Sequence, residues 1–156
     1  MTKKPKESTI DPLFRYAGGK RWLAKGIAGE IKAIAPRVYV EPFLGAGAVV
    51  LQVEAEHYML GDVNDALVQL WQEVVSGPEL FDLRVKDLER SFPHSEEAYN
   101  RARQLFNEQR ARGERSGLGA LVLYLITHNF NGLWRENQEG KYNTPYCGAQ
   151  KTRFRY

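Results

Sequence analysis

A glycine loop between two apolar segments is the feature that most constrains the fold of this chain. The run Val38-Tyr39-Val40 has high β propensity, and Glu41-Pro42 and the loop Gly45-Ala46-Gly47 follow it. The apolar stretch from 48 to 53 comes next, so the order predicts strand, glycine loop and helix. Glycines in such a loop let backbone approach a ligand closely, and a helix start offers amide donors to a carboxylate or phosphate.

A second unit of the same kind follows. His57 to Leu60 predicts a short strand ending at Gly61-Asp62, and a helix is expected from Asp65 to Val75. Alternating strands and helices with short loops indicate a parallel α/β sheet. Asp62, at the strand end, could accept hydrogen bonds from the ribose hydroxyls of a nucleoside bound over the glycine loop. It could also cap the following helix, as Asn64 or Asp65 could.

The glycine loop by itself admits a plainer reading. A dinucleotide fingerprint would have a third glycine at position 50, which is Val50, and this disfavours a nicotinamide cofactor. A plain strand-to-helix connection would account for the loop if it stood alone.

The remaining elements are predicted from periodicity and breakers. Leu23, Ile27, Ile31 and Ile34 lie on one face of a helix that Pro36 ends. Further on we expect two helices over 79–106 broken at Phe92-Pro93, an exposed loop over 107–117, a buried helix over 118–127, and two short strands over 133–146 around a turn at Gln138-Glu139-Gly140.

Composition narrows the class. With 156 residues and 43% apolar content the chain can bury an ordinary core, and its net charge of +3 permits nucleic acid as a partner without demanding it. The single Cys147 excludes an intrachain disulfide, and no Cys/His cluster has zinc-ligand spacing, so no metal site is expected. The longest apolar stretch, 118–126, is too short to span a bilayer, and we expect a cytoplasmic protein.

Three segments together resemble a known family. Tyr16-Ala17-Gly18-Gly19-Lys20, Glu41-Pro42-Phe43-Leu44-Gly45-Ala46-Gly47 and Gly61-Asp62-Val63-Asn64 are similar, in order and spacing, to the opening motifs of Dam-type (D12 class) adenine-specific DNA methyltransferases. The resemblance implies an α/β fold, an incomplete Rossmann-like methyltransferase sheet with a helical, hairpin-bearing DNA-recognition region. It implies S-adenosylmethionine as the cofactor. The cofactor-binding residues it implies are Tyr16, Ala17, Gly18, Lys20, Glu41, Pro42, Phe43, Gly45, Gly47, Asp62 and Asn64.

The resemblance continues through 129–135 and 140–146, which correspond to the target-recognition hairpin of that family. It implies double-stranded DNA as a partner. Apart from any family, a polar hairpin displaying Phe130, Trp134, Arg135, Lys141 and Tyr142 offers stacking faces and cations to nucleic acid, although the aromatic rings could instead pack on the preceding helix. The DNA-binding residues that the resemblance implies are Phe130, Asn131, Leu133, Arg135, Asn137 and Pro145.

The family methylates the adenine amine with an Asp-Pro-Pro-Tyr motif, which accepts hydrogen bonds from that amine and stacks the flipped base. Neither Asp11-Pro12-Leu13-Phe14 nor Asn143-Thr144-Pro145-Tyr146 matches it, so no catalytic residue is assigned. In the family that motif lies on a further strand of the same sheet. Without such strands we expect the sheet edge to be sticky or to need covering.

Three hypotheses follow for the function. The chain is a truncated or split adenine DNA methyltransferase that works with a second polypeptide supplying the catalytic strand, or a non-catalytic protein that binds DNA, S-adenosylmethionine or both, or a relic without activity. We divide the chain into a flexible arm over 1–10, a cofactor-binding α/β part over 11–78 and a helical target-recognition region over 79–156.

Overall fold

The computed structural model describes residues 10–147, so nearly all of the predicted N-terminal arm lies outside the described residues. Within 10–147 no helix is long and apolar enough to cross a membrane. The elements are α1 (Arg21–Ile34), β1 (Val38–Glu41), β2 (His57–Leu60), α2 (Asp65–Ser76), α3 (Pro78–Ser91), α4 (Glu96–Ala111) and α5 (Leu118–His128), with short 3-10 turns at Val50–Gln52 and Phe130–Gly132.

The two predicted strands are confirmed and pair in parallel. Val38 lies opposite His57, and Glu41 lies opposite Leu60. The ladder continues past the strands, since the Gly61 amide donates to the Glu41 carbonyl over 2.9 Å. The described part of the chain is therefore helix-rich with a small parallel sheet, an arrangement compatible with the α/β fold that the resemblance implies.

This sheet leaves much of its apolar surface in contact with solvent. Val40 is 56% exposed and Met59 is 63% exposed, and Val38 and Leu60 are exposed as well. A two-stranded sheet is marginal by itself, and neighbouring exposed apolar side chains on it are typical of a surface that another element covers.

The core is built around α5. Every residue of this helix is buried, and it packs against α2, α3 and α4. A helix that is apolar on all sides is stable only inside a core, so the prediction of a buried helix here is confirmed. Gly119 allows the closest approach, because a Cβ at this position would lie 2.8 Å from the Cα of Leu70 on α2.

The face that α1 buries differs from the predicted one. The helix has the expected extent, but its buried residues are Ala24 and Ala28, which pack against Val49 and Val53. Of the predicted repeat, Ile31 is partly buried against the same cluster, whereas Leu23 and Ile27 are exposed and Ile34 is 76% exposed. The alanines make the rest of the contact, because their small side chains let the helix lie close to its neighbour.

The predicted helix over 48–53 is wrong. Only the 3-10 turn Val50–Gln52 forms there, and Val53 is extended. Three valines disfavour a helix through their restricted χ1 angles, and Gly47 enters the segment with a φ of +70°. The chain needs only to cross from the end of β1 to the start of β2.

The predicted exposed loop over 107–117 is also wrong in its first part, because α4 continues to Ala111. Two polar side chains of this last part of α4, those of Asn107 and Arg110, form hydrogen bonds with other elements of the protein. The predicted break at Phe92-Pro93 and the helix over 65–75 are confirmed.

Replacing Gly119 tests the close contact between α5 and α2. We expect Gly119→Ala to lower the free energy of unfolding by about 1–3 kcal/mol, because its methyl group would meet the backbone of Leu70. Urea unfolding followed by circular dichroism measures the change.

Gly26→Ala is the matched control. Gly26 lies inside α1 with nothing within 4 Å of an added Cβ, so this change should raise stability by about 0.5–1 kcal/mol. An equal gain from both substitutions would contradict the packing described for Gly119.

Candidate functional site

The glycine loop is held by the carboxylate of Asp62. One oxygen accepts from the Gly45 amide over 2.8 Å, and the other accepts from the Asn64 amide over 2.9 Å. Asp62 therefore does not cap α2. The Asn64 side chain does so, by accepting from the Ala66 amide over 3.1 Å. The carboxyl ends of β1 and β2 are thus joined by a half-buried carboxylate.

Trp71, on α2, contacts the same loop at both of its glycines. Its indole N–H donates to the Gly45 carbonyl over 2.9 Å, and a Cβ on Gly47 would lie 2.8 Å from its ring. Both glycines have positive φ values, +50° for Gly45 and +70° for Gly47, which other residues adopt at a cost. Trp71 is not among the residues predicted to bind the cofactor. The available signal was a tryptophan N–H that needs an acceptor when it is buried.

Tyr16 completes this assembly. Its ring lies against Gly45, where an added Cβ would be 3.5 Å from a ring carbon. The Asn64 side-chain amide donates to the Tyr16 hydroxyl over 3.5 Å. Burial raises the pKa of Tyr16, so its hydroxyl stays protonated at neutral pH. The structure thus gathers four of the residues singled out in the sequence, Tyr16, Gly45, Asp62 and Asn64, at the ends of the two strands.

Glu41 is close to this assembly but has local partners. Its carboxylate accepts from the Tyr39 hydroxyl over 3.0 Å and from the Val50 amide over 3.1 Å. Burial raises the pKa of Glu41, and burial together with that carboxylate raises the pKa of Tyr39 to about 12. The bond to Val50 fixes the segment that follows the glycine loop to the end of β1.

The other predicted cofactor residues lie on the surface around the loop. Lys20 is exposed and donates to the Gly18 carbonyl over 2.9 Å. Phe43 is 82% exposed, beside the exposed Pro42. Ala17 is exposed as well, so none of these side chains belongs to the hydrogen-bonded assembly around Asp62.

A backbone contact connects this assembly to the segment 129–146, which we call the hairpin segment. The Ala17 amide donates to the Gly132 carbonyl over 3.1 Å. Gly132 has a φ of +65°, and a Cβ there would overlap the Arg15 carbonyl. Only glycine fits at this crossing, so the segment before α1 is in contact with both the glycine loop and the hairpin segment.

The hairpin segment is antiparallel but forms no regular strands. Isolated bridges join Asn129 to Tyr146 and Glu136 to Tyr142, so the two predicted strands are corrected to a looser hairpin. Asn137 shapes its turn, because the side-chain oxygen accepts from the amides of Glu139 and Lys141. The resemblance implies that Asn137 binds DNA, whereas here its side-chain oxygen stabilises the turn.

Five of the predicted DNA-binding residues lie in an exposed group. Phe130 is 50% exposed, and Asn131, Leu133, Arg135 and Pro145 are exposed too. The Arg135 guanidinium is oriented by Asn143, donating to its side-chain oxygen over 2.8 Å and to its backbone carbonyl over 3.1 Å. An aromatic ring, an aliphatic side chain and an oriented guanidinium are thus presented to solvent on one segment.

Two aromatic residues that we expected on this surface are instead packed inside. Tyr142 is fully buried, and Trp134 packs against it and against Phe106, with ring centroids 4.5 and 5.6 Å away. These two rings therefore pack inward, as in the alternative, but Phe106, the helical ring that both contact, belongs to α4 and not to the preceding helix α5. Alternation along a hairpin sends neighbouring side chains to opposite sides, which leaves Leu133 and Arg135 outside and Trp134 inside.

One face of α4 holds the inner side of the hairpin segment. Asn107 forms two hydrogen bonds with the backbone of Tyr142, of 2.9 and 3.0 Å. Tyr99 donates to the Thr144 carbonyl over 3.0 Å. Arg110 reaches Glu136 and the Gly140 carbonyl. None of these three residues was predicted as a site residue, and their spacings of eight and three positions place them on one face of α4.

Arg110 also links the two regions of the site. Its second terminal nitrogen donates to Asp65 at the start of α2 over 2.8 Å. A single guanidinium therefore bonds to the helix that follows Asp62 and to the turn of the hairpin segment.

Comparison with known proteins decides the family. The family model described as D12 class N6 adenine-specific DNA methyltransferase matches residues 16–156. The chain belongs to this family. The match includes the glycine loop, Asp62 and the whole hairpin segment, and it confirms the resemblance seen in the sequence.

Three relatives are each named DNA adenine methylase. The chain is 31% identical over 142 residues to a DNA adenine methylase of Vibrio cholerae, covering 91% of this chain and 50% of the relative. It is 32% identical over 144 residues to the DNA adenine methylase of Escherichia coli K12, covering 91% and 49%. It is 32% identical over 164 residues to the DNA adenine methylase of Haemophilus influenzae, covering 97% of this chain and 54% of that relative. The chain spans about half the length of these relatives.

Asn107 provides a test of how α4 holds the hairpin segment. We expect Asn107→Ala to lower the free energy of unfolding by about 1–3 kcal/mol, because it leaves the N–H and C=O of buried Tyr142 without their partner. Hydrogen exchange at the Tyr142 amide should become faster than in the unsubstituted chain.

The control is Asn100→Ala, on the exposed side of the same helix. It should change stability by no more than about 0.5 kcal/mol. If the two variants unfold at the same urea concentration, the anchoring described for Asn107 is wrong.

Proposed function

We propose that this chain binds S-adenosylmethionine over the glycine loop and engages double-stranded DNA through the hairpin segment, as part of an adenine-specific DNA methyltransferase. The observation that carries the proposal is the assembly in which Asp62 and Trp71 hold the loop open beside the ring of Tyr16. Family membership supports a methyl donor of this type.

The chemistry of the assembly suits this donor. S-adenosylmethionine presents ribose hydroxyls, an adenine ring and cationic groups. The carboxylate of Asp62 uses one hydrogen bond per oxygen and retains lone pairs that can accept from a hydroxyl. The exposed ring of Phe43 offers a face for stacking. The edge of the binding site around the glycine loop would be lined by Ala17, Gly18, Lys20 and Pro42. Glu41 would stabilise the end of the loop by accepting from the Val50 amide.

The exposed group on the hairpin segment suits duplex DNA. Phe130 and Leu133 can enter a base step as apolar wedges, and unstacking of this kind is part of extruding a target base. Arg135, held in orientation by Asn143, can donate two hydrogen bonds to a guanine edge or to a phosphate. Asn131 and Pro145 lie on the same segment and would follow the DNA backbone.

The methyl transfer step needs groups that these 156 residues do not contain. The proposal therefore places the Asp-Pro-Pro-Tyr motif on a further strand of a Rossmann-like sheet, supplied by additional residues or by a second polypeptide. The exposed apolar side chains of β1 and β2 support such a strand, since it would cover Val38 and Val40. If both ligands bind and no transfer follows once that strand is supplied, a non-catalytic binding protein becomes the better reading.

Calorimetric titration with S-adenosylmethionine tests the cofactor half of the proposal. We expect binding by the unsubstituted chain and at least tenfold weaker binding by Asp62→Ala, because the Gly45 and Asn64 amides lose the acceptor that shapes the loop. The affinity for an adenine-containing duplex should stay the same.

The matched control is Asp87→Ala, which removes an exposed carboxylate on α3 far along the chain from the loop. Circular dichroism establishes that both variants are folded. A folded, unsubstituted chain that takes up no S-adenosylmethionine would refute the cofactor assignment.

Arg135→Ala tests the DNA half. We expect about tenfold or greater loss of duplex affinity with unchanged binding of S-adenosylmethionine, since an oriented guanidinium contact contributes about 1–3 kcal/mol. The control is Arg101→Ala, because Arg101 is an exposed arginine on α4 whose guanidinium lies 3.8 Å from the Glu97 carboxylate.

The salt dependence of binding separates two roles for Arg135. Loss of a phosphate contact lowers the slope of log affinity against log salt concentration by about one, whereas loss of a base contact relaxes the preference for a DNA sequence. Equal affinities of Arg135→Ala and Arg101→Ala would remove Arg135 from the interface.

A further inference from the structure

Three potential metal ligands meet at a corner of the helical region, away from the glycine loop. Glu89 lies near the end of α3, His94 lies in the turn before α4, and His128 is the last residue of α5. One ligand atom from each lies within 4.8 Å of the others. Their spacing along the sequence resembles no zinc motif, so local pattern predicts no metal site here.

The contacts within this cluster are short. The Nε2 atom of His94 lies 2.7 Å from one Glu89 oxygen, and the Nε2 atom of His128 lies 3.7 Å from the other. The two imidazole rings are 4.5 Å apart in an edge-to-face arrangement. The second Glu89 oxygen is shielded from solvent and has no hydrogen-bond partner within residues 10–147.

The tautomer of His128 follows from its other contact. Its Nδ1 atom lies 2.7 Å from the Tyr124 carbonyl, which can only accept, so Nδ1 carries the proton. In the neutral ring the lone pair is then on Nε2 and faces the unpartnered oxygen of Glu89. The His128 Nε2 lone pair and the Glu89 oxygen are both acceptors and are 3.7 Å apart, so a cation between them would satisfy both. Metal-ligating histidines commonly donate their other N–H to a carbonyl in this way.

We propose that Glu89, His94 and His128 form a binding site for a divalent transition-metal ion, with zinc as the first candidate. Two imidazole nitrogens and one carboxylate oxygen are a donor set that zinc accepts. Tetrahedral bonds of about 2.0–2.1 Å place ligand atoms roughly 3.3 Å apart. His94 is largely exposed and can rotate to close the remaining distance. A water molecule would take the fourth position.

The position of the site gives the ion a structural role. The His128 carbonyl accepts from the Cys147 amide over 3.1 Å, and Asn129 bridges to Tyr146. Both ends of the hairpin segment therefore meet at the residue that would bind the metal. An ion here ties the turn between α3 and α4 to the base of the hairpin segment.

Zinc titration of the full chain tests the proposal. After removal of metals with a chelator, we expect one zinc ion per chain, bound in competition with a chromophoric chelator, and a rise in Tm on adding zinc. His94→Gln should weaken zinc binding at least tenfold and abolish the rise in Tm. The substituted side chain is exposed, so the variant should fold.

The chain offers a matched control in its third histidine. His57 is exposed on β2, outside the cluster, and His57→Gln should bind zinc as the unsubstituted chain does. Absence of stoichiometric zinc at micromolar concentration overturns the proposal. So does equal affinity in His94→Gln and His57→Gln, or binding that survives His94→Gln and is lost in Cys147→Ser. None of these results depends on whether the chain binds S-adenosylmethionine or DNA.

Discussion

Complete burial of α5 is the constraint on which the rest of this structure depends. The helix is apolar on every side, so it is stable only when α2, α3 and α4 surround it. Gly119 sets how closely α2 can approach, and α2 carries Trp71, which supports the glycine loop. The hairpin segment begins where α5 ends. One packed helix thereby sets the positions of both the glycine loop and the hairpin segment.

Two small contacts join these sides directly. The Ala17 amide bonds to the Gly132 carbonyl, and Arg110 bonds to Asp65 as well as to the hairpin segment. The segment before α1 therefore contacts the glycine loop through Tyr16 and the hairpin segment through Ala17. The sheet is less well covered than the helices, since both of its strands carry exposed apolar side chains.

Predictions from local pattern succeeded where one strong signal acted alone. The β-prone runs at Val38 and His57, the breaker at Pro93 and the continuous apolar content of α5 each specify an element without outside help. Prediction failed where tertiary contacts compete with pattern. The segment 48–53 is apolar enough for a helix, but its valines and the short crossing between strands leave a turn. The end of α4 has the polarity of a loop, but Asn107 and Arg110 find their partners on the hairpin segment.

The sequence by itself determined the family, through three ordered motifs and the hairpin residues, and the residue types of the glycine loop. Motifs of this kind can be recognised in a sequence because close backbone approach needs glycine and hydrogen bonding needs specific side chains. Only the tertiary structure decided that Asp62 organises the loop, that Trp71 supports it and that Trp134 and Tyr142 face inward. It alone brought Glu89, His94 and His128 together. These relations join residues far apart in the chain, and their geometry is set by how helices pack around α5, which no local pattern encodes.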